Sequence, residues 1–120
     1  MSDNYYAIVC PPPDVDADGT VSAAVCLSGE FDLGAGDDLR AAILGVVTGG
    51  RATSVVVDLT NVTFIDAASV GVLFDSRSTA RRRHVEFRIT ETRGVVRRVL
   101  DVLDPTGVLR LNRPDRRSEG

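Results

Sequence analysis

The stretch Val62-Thr63-Phe64-Ile65-Asp66-Ala67-Ala68-Ser69-Val70-Gly71-Val72-Leu73-Phe74 passes from a buried strand through an acidic corner into a helix. Asp66 stands where a helix N-cap belongs, since its carboxylate can accept a hydrogen bond from an amide of the first turn. Val70, Leu73 and Phe74 recur at helical spacing and predict the buried stripe of that helix. A helix N-terminus carries unpaired amides and a partial positive charge, so this corner is suited to a phosphate or an acidic partner group.

A long turn separates two strands at the start of the chain. Residues 5–9 predict the first strand, and residues 21–28 predict the second because apolar and small side chains alternate there. The connection contains Pro11-Pro12-Pro13 and the acidic run 14–19, which is rich in turn-forming residues and should project into solvent. The two strands are expected to pair as an antiparallel hairpin.

Helices and strands alternate along the rest of the chain. The run Val55-Val56-Val57 is typical of a strand covered on both faces, which places it near the centre of a sheet. A hairpin followed by this alternation predicts an α/β domain whose later strands are parallel and joined by right-handed crossovers. The predicted elements are a helix over 34–48, a strand over 54–59, the helix from Asp66 to about Arg81-Arg82-Arg83, a strand over 85–89, a helix capped by Thr92 that ends at Asp104, and a short strand over 108–111. In the last of these helices four residues should face the core: Val96, Val99, Leu100 and Leu103.

Size and charge limit what the chain can be. Its 120 residues, 43% of them hydrophobic, suffice for one core, so residues 1–112 are expected to form one domain and residues 113–120 a disordered tail. The formal net charge of -3 provides no broad basic field for nucleic acid. No apolar run approaches the length of about 18 residues needed for a membrane span, and the chain does not start like a signal peptide. A cytoplasmic location is expected.

The two cysteines are expected to be buried or half-buried free thiols rather than a redox pair or a metal site. Cys10 lies beside the connecting loop, and Cys26 lies several residues along the returning strand. Their Cα atoms are therefore expected to be beyond disulfide reach.

The acidic turn contains a weak calcium motif. Asp14, Asp16, Asp18 and Gly19 match the opening of an EF-hand loop, but the twelfth position is Val25 rather than glutamate and a strand follows. A solvated turn is the better interpretation. No phosphate-binding glycine loop, zinc spacing or acid–base carboxylate pair is visible, so no metal, cofactor or catalytic residue is expected.

A basic run follows the second predicted helix. Arg81-Arg82-Arg83 is interpreted as a solvated helix C-terminus that complements the helix dipole, with a patch for an acidic partner as the alternative. His84 stands alone beside it and is expected on the surface, where a strand begins.

Three segments together resemble one protein family. With Leu27-Ser28-Gly29-Glu30-Phe31-Asp32 and Val56-Val57-Asp58-Leu59, the opening stretch is similar to the STAS domain family, in particular to the anti-sigma-factor antagonists of bacteria. The resemblance extends from Val21 to Leu111 and includes Gly94-Val95-Val96-Arg97-Arg98-Val99-Leu100-Asp101, which is similar to the family's third helix. It implies one STAS-like domain with a mixed sheet, an N-terminal hairpin and about three main helices.

The resemblance also implies a partner switch. In that family the antagonist captures an anti-sigma factor that is also a kinase, which frees a sigma factor, and phosphorylation of a corner serine ends the capture. By position, Asp66 matches the corner aspartate, Ala67 the phosphoacceptor, Ala68 a second small hydroxyl residue and Ser69 a glycine. An alanine has no oxygen to receive a phosphoryl group, so release at Ala67 is not expected and binding should persist. Ser69 is interpreted as making a local hydrogen bond, with a displaced phosphoacceptor as the alternative.

Three carboxylates are expected at one corner. Asp32, Asp58 and Asp66 match acidic or polar family positions at strand ends and would form a rim for a partner's arginine or lysine, with capping and turn formation as the alternative roles. The resemblance thus predicts a non-enzymatic binder of an anti-sigma factor, and the residues expected to contact this partner are Asp32, Asp58, Asp66, Ala67, Ala68 and Ser69. The alternative is a STAS scaffold, sensor or transporter-associated subunit outside a sigma-factor circuit.

Overall fold

Five strands, three α-helices and a 3-10 turn make up the computed structural model, which describes residues 5–32 and 34–110. The strands are β1 (Tyr6–Val9), β2 (Asp14–Val15), β3 (Val21–Phe31), β4 (Ser54–Ile65) and β5 (Glu86–Ile89). The helices are α1 (Ala35–Thr48), α2 (Ala67–Arg82) and α3 (Gly94–Leu103), followed by the 3-10 turn Val108–Arg110.

The sheet is mixed, as the sequence predicts. Its strands lie in the order β1-β3-β4-β5, with β2 paired to β3 beside β1. β1 and β2 run antiparallel to β3, whereas β3, β4 and β5 are parallel. β4 has a strand on each side, so its predicted interior position is confirmed.

One face of the sheet carries the core. Buried side chains alternate along the strands, and the helices contribute their apolar stripes to the same cluster. Val55 and Val57 are fully buried while Val56 between them is only half-buried, so β4 is less covered on its second face than its apolar run predicts. The strand side chains in the core include Val25, Leu27, Phe31, Val55, Val57, Ile65, Phe87 and Ile89, and the helical ones Leu39, Ile43, Val47, Val70, Leu73, Val96 and Leu100.

Two predicted element boundaries and one predicted core residue are wrong. β4 does not end at Leu59 but continues to Ile65, because its parallel pairing with β3 continues across two irregularities. α3 begins at Gly94 and is not capped by Thr92, whose hydroxyl is buried without a hydrogen-bond partner among the described residues. Leu103, expected to face inward, is 38% exposed.

The predicted last strand is also wrong. Residues 108–110 form a 3-10 turn because the buried carboxylate of Asp104 accepts hydrogen bonds from the amides of Val108, at 2.9 Å, and Leu109, at 3.0 Å. Two backbone bonds satisfy a carboxylate that would otherwise be costly to bury. Leu111 and the predicted tail, residues 112–120, lie outside the described residues.

The cysteines lie closer together than predicted. Both are free; Cys26 is half-buried as expected, whereas Cys10 is exposed, so its predicted burial is wrong. β1 pairs with β3 so that Val9 is opposite Cys26, and Cys10 is therefore the next residue along from that pair. The expectation of a wide separation was wrong because it assumed that the strands pair close to the turn. Burial, followed by the charge of Cys26, raises the pKa of the Cys10 thiol.

No helix among the described residues is long and apolar enough to cross a bilayer.

Candidate functional site

Strands β3 and β4 end side by side. Phe31 and Ile65 are paired in the register, and the amide of Asp66 donates to the Phe31 carbonyl oxygen at 3.0 Å. Asp32 and Asp66, each the next residue after a paired one, are therefore neighbours at this edge of the sheet. We call the group Asp32, Phe64, Asp66, Ala67 and Ala68 the docking corner.

Asp66 caps helix α2, as predicted. Its backbone is extended, with φ -97°, and its Oδ1 accepts from the amide of Ser69 at 2.8 Å. Its carbonyl accepts the first intrahelical bond, from the Val70 amide, at 3.0 Å. A side-chain acceptor here satisfies one of the amides that every helix start leaves unpaired. The direction in which α2 leaves the sheet is thus fixed locally.

The first two residues of α2 are open to solvent. Ala67 and Ala68 are both exposed, and their amides donate to no oxygen of a described residue. Two free amides at the positive end of a helix favour an acceptor group from outside. The helix entrance is therefore accessible, as a docking surface requires.

Phe64 adds an exposed aromatic side chain to the docking corner, which the sequence did not predict. It is 36% exposed although it lies between the buried residues Val62 and Ile65. The cause is an irregularity in the β3–β4 register between Gly29 and Glu30, which breaks the strict alternation of sides. Gly29 has φ 90°, and a Cβ there would overlap the Tyr5 carbonyl, so only glycine fits. The spacing of three between two buried apolar residues was the signal that a bulge turns Phe64 outward.

Ser69 lies beneath the docking corner rather than on it. Only 1% of the residue is exposed, and its Oγ donates to the Phe31 carbonyl at 3.3 Å. This bond connects residues 38 positions apart, so the prediction of a local contact was wrong. Nothing of the side chain is left for a partner to touch.

Asp58 does not join the other two carboxylates. It pairs with Cys26 in mid-strand, five residues of β3 before Phe31, which corresponds to roughly 17 Å at the usual rise of an extended chain. The expected three-carboxylate rim is therefore wrong, because β4 continues beyond Asp58 to Ile65. Asp32 and Asp66 remain as a pair.

The Asp58 carboxylate has a different set of contacts. Its Oδ1 accepts from the Thr60 amide at 2.9 Å and from the Thr90 hydroxyl at 3.5 Å, while the same Thr90 oxygen accepts from the Leu59 amide at 2.8 Å. These bonds, led by those from Thr60, lower the pKa of Asp58, although desolvation opposes them. Asp58 thus fastens the end of β5 to β4.

Helices α1 and α2 pack against each other behind the docking corner. Arg40 of α1 and Asp75 of α2 form an ion pair at 3.0 Å. Close to the start of both helices, a Cβ added at Gly36 would lie 3.7 Å from Val72, so the two backbones approach closely. The corner is consequently carried by packed elements rather than by a free loop.

The other sequence signals lie away from the docking corner. Arg81, Arg82 and Arg83 are exposed at the end of α2, and exposed His84 follows with φ 60°, which agrees with the surface positions predicted for them. An open cavity of about 380 Å³ lies at that end, lined by Val47, Gly50, Ala52, Arg82, Arg83 and Val85.

The acidic turn is held by its own hydrogen bonds. The Asp18 carboxylate accepts from the Thr20 amide at 3.0 Å, and bonding to Thr20 lowers the pKa of Asp18. Across the described residues, no group of three or more histidine, cysteine, aspartate or glutamate side chains is arranged to hold a metal ion.

Comparison with known proteins now decides the family. The family model of the STAS domain matches residues 12–115, which is most of the chain. The chain belongs to the STAS domain family. No curated protein sequence matches it significantly.

Solved structures agree with this STAS assignment. An anti-sigma factor antagonist from Mycobacterium paratuberculosis superposes with a TM-score of 0.69 at 24% identity, covering 92% of this chain and 87% of that one. The antagonist SpoIIAA in its unphosphorylated form gives 0.61 at 19% identity, over 79% of this chain and 82% of that one. The phosphorylated form of the Bacillus protein SpoIIAA gives 0.60 at 16% identity, over 86% and 92%. At these identities the likeness is one of fold.

Proposed function

We propose that this STAS domain is an anti-sigma-factor antagonist: it binds an anti-sigma factor of the kinase type through the docking corner and so releases a sigma factor for transcription in the cytoplasm. Two of the solved structures that share its fold are named as antagonists of this kind. The observation that carries the proposal is the open entrance of α2, where Ala67 and Ala68 are exposed directly after the Asp66 cap.

The chemistry of the docking corner suits a protein surface. Asp32 and Asp66 are half-buried neighbours, and the exposed residues Phe64, Ala67 and Ala68 add apolar surface next to Asp66 in the chain. A guanidinium or ammonium group of the partner can pair with the carboxylates while an apolar side chain covers Phe64. The free amides of the first turn can donate hydrogen bonds to a carboxylate or carbonyl oxygen of the partner. The site therefore offers complementary contacts without any group that needs to react.

The corner contains no accessible hydroxyl in the first turn of α2. Ala67 and Ala68 have none, and the hydroxyl of Ser69 is buried. A phosphate would add a charge of about -1.5 to -2 at this position and repel or misplace the partner. Without an acceptor, the domain keeps the surface of the unmodified state. We infer that binding persists in the presence of ATP and that control lies in the amount of protein or partner.

The direct test mixes the purified protein with candidate kinase-type anti-sigma factors, with and without ATP. Complex formation is followed by calorimetry and phosphate incorporation by mass spectrometry. We expect a stable complex whose affinity does not change with ATP and in which this chain carries no phosphate. Absence of binding to every such anti-sigma factor would contradict the proposed function, and stoichiometric phosphate on Ser69 would contradict the persistent form of it.

Two neighbouring alanines provide a matched pair of variants. Ala67→Ser restores a hydroxyl at the position that corresponds to the phosphoacceptor, whereas Ala68→Ser adds the same atom one residue later, about 100° around the helix. With ATP, the first variant is expected to become phosphorylated and to lose the partner, and the second to remain bound. Equal behaviour of the two variants would show that Ala67 does not occupy the switch position.

A further inference from the structure

One backbone carbonyl at the docking corner receives two hydrogen bonds. The Phe31 oxygen accepts from the Asp66 amide at 3.0 Å and from Ser69 Oγ at 3.3 Å. A carbonyl oxygen has two lone pairs, so both bonds can form together. The last residue of β3 is thereby connected both to the end of β4 and to the first turn of α2.

A third bond closes this arrangement. The Asp66 carboxylate accepts from the amide of Ser69, so Ser69 is held at its backbone by the cap and at its side chain by β3. We call these three bonds the Ser69 latch. The residue is 1% exposed, and hydrogen bonds in such a site are little weakened by competing water. The exposed residues Ala67 and Ala68 lie between the two ends of the latch.

We propose that Ser69 is a positioning residue for partner binding: its hydroxyl holds the entrance of α2 in one geometry, so that the docking corner is already formed before the partner arrives. This inference rests on the proposed function of the corner. A surface that is formed for only part of the time binds with an affinity reduced by that fraction. The latch raises this fraction without contributing any atom to the contact itself.

The same geometry argues against Ser69 as a displaced phosphoacceptor. Its oxygen is covered, and its proton is already donated to Phe31. Transfer of a phosphoryl group would first require the latch to open and would then place a dianion next to a carbonyl oxygen, which repels it. The hydroxyl nearest to Ala67 therefore supports the permanent surface instead of replacing the missing switch.

Helix α2 contains a suitable control for the test. Ser76 is fully buried on the same helix, but its hydroxyl has no hydrogen-bond partner among the described residues. Ser69→Ala and Ser76→Ala therefore remove the same atom from the same kind of surroundings, and only the first breaks a bond between helix and strand. Ser69→Cys keeps a weak donor of similar size and provides a conservative variant.

The first measurement needs no partner. Amide hydrogen exchange by NMR should show faster exchange at Asp66 and Ser69 in Ser69→Ala, by about 3- to 10-fold, as expected for the loss of one typical hydrogen bond. The carbonyl carbon of Phe31 should shift in the same variant. Ser76→Ala should leave both signals unchanged. Unchanged exchange and an unchanged Phe31 carbonyl in Ser69→Ala would overturn the latch itself.

The second measurement uses the anti-sigma factor that binds the natural sequence. At a temperature where all variants are fully folded, Ser69→Ala should bind about 3- to 10-fold more weakly, Ser69→Cys should fall between, and Ser76→Ala should bind normally. Normal binding by Ser69→Ala despite faster exchange would overturn the positioning role. If no anti-sigma factor binds the natural sequence, the proposed function fails, whereas the exchange data still decide whether the latch exists.

Discussion

Helices α2 and α3 begin in different ways, although both follow a parallel strand of the same sheet. The start of α2 has a side-chain cap from Asp66 and two bonds to the Phe31 carbonyl. The start of α3 has Arg93 as its N-cap residue with no side-chain bond, and the nearby Thr92 hydroxyl is buried without a partner among the described residues. Local order is thus concentrated at one of the two entrances, and that entrance is the docking corner.

The two helices also differ in packing. α2 contacts α1, β5 and α3, whereas α3 buries only Val96 and Leu100 well and leaves apolar residues open to solvent. Val102 is 76% exposed, and Val95 is 42% exposed. The helix that carries the corner is therefore an integral part of the core, and α3 is attached along a narrow stripe. A docking surface with a precise geometry needs a helix that is packed into the core, as α2 is.

Substitution of one leucine in each helix tests this difference in packing, and it has the largest expected effect on the free energy of unfolding. Leu73 of α2 is fully buried, while Leu103 of α3 is 38% exposed. Leu73→Ala should lower the free energy of unfolding by about 2–5 kcal/mol because it leaves a cavity. Leu103→Ala should lower it by about 1 kcal/mol or less. Urea titrations at one temperature give both values, and equal losses would show that α3 is packed as firmly as α2.

Variants of the polar side chains at the starts of α2 and α3 compare the two helix starts, and their expected effect on stability is intermediate. Asp66→Ala should cost about 0.5–2 kcal/mol because the Ser69 amide loses its acceptor, whereas Asp66→Asn keeps an acceptor and should cost less. Thr92→Val removes a buried hydroxyl without a partner at similar shape, so it should be neutral or stabilising. A clear loss of stability in Thr92→Val would mean that its hydroxyl has a partner that caps α3.

Measurements of partner binding can separate the capping role of Asp66 from its proposed contact with the partner. Asp66→Asn should weaken the complex while the fold remains nearly as stable, since only the charge is removed. Asp66→Arg should abolish binding, because it places a like charge opposite the basic group expected on the partner. Calorimetry of these variants beside Arg93→Ala provides the check, and the α3 variant should bind normally. Unchanged affinity of Asp66→Arg would count against the docking corner as the contact surface.

Local rules were enough to predict the corner. A carboxylate followed by apolar residues at helical spacing identified both the cap and the helix, and the structure has Asp66 bonded to Ser69 at the expected place. The alternation of apolar residues likewise identified β3 and β5. These signals work because each depends on residues fewer than about eight positions apart.

Contacts between distant segments were not predictable in this way. After Leu59 the polar residues Thr60 and Asn61 interrupt the apolar alternation, and β4 continues to Ile65 only because it pairs with β3. Asp58 was therefore assigned to the end of its strand, although it lies in the middle. The bond from Ser69 to Phe31 spans 38 positions and leaves no periodic trace. The turn at 108–110 depends in the same way on a buried carboxylate, that of Asp104. The sequence thus predicted which residues begin an element better than which residues meet.

The carboxylates of Asp58 and Asp18 provide the smallest expected effect, on acid stability. Hydrogen bonds from Thr60 and Thr90 hold the pKa of Asp58 below its usual range, and those from Thr20 do the same for Asp18 in the exposed turn. A carboxyl whose pKa is lower in the folded state stabilises the fold above its unfolded pKa of about 3.9, and this contribution is lost as the pH falls through the folded pKa.

The advantage in stability of the natural sequence over Asp58→Asn should therefore shrink as the pH is lowered from about 6 to about 2.5. Because Asp58 joins β4 to the end of β5 just before α3, whereas Asp18 only closes a turn, Asp18→Asn should show the same trend more weakly in urea midpoints measured across this range. A difference between natural sequence and Asp58→Asn that stays constant with pH would mean that the Thr90 contact, and not the charge, connects the α3 side of the sheet to β4.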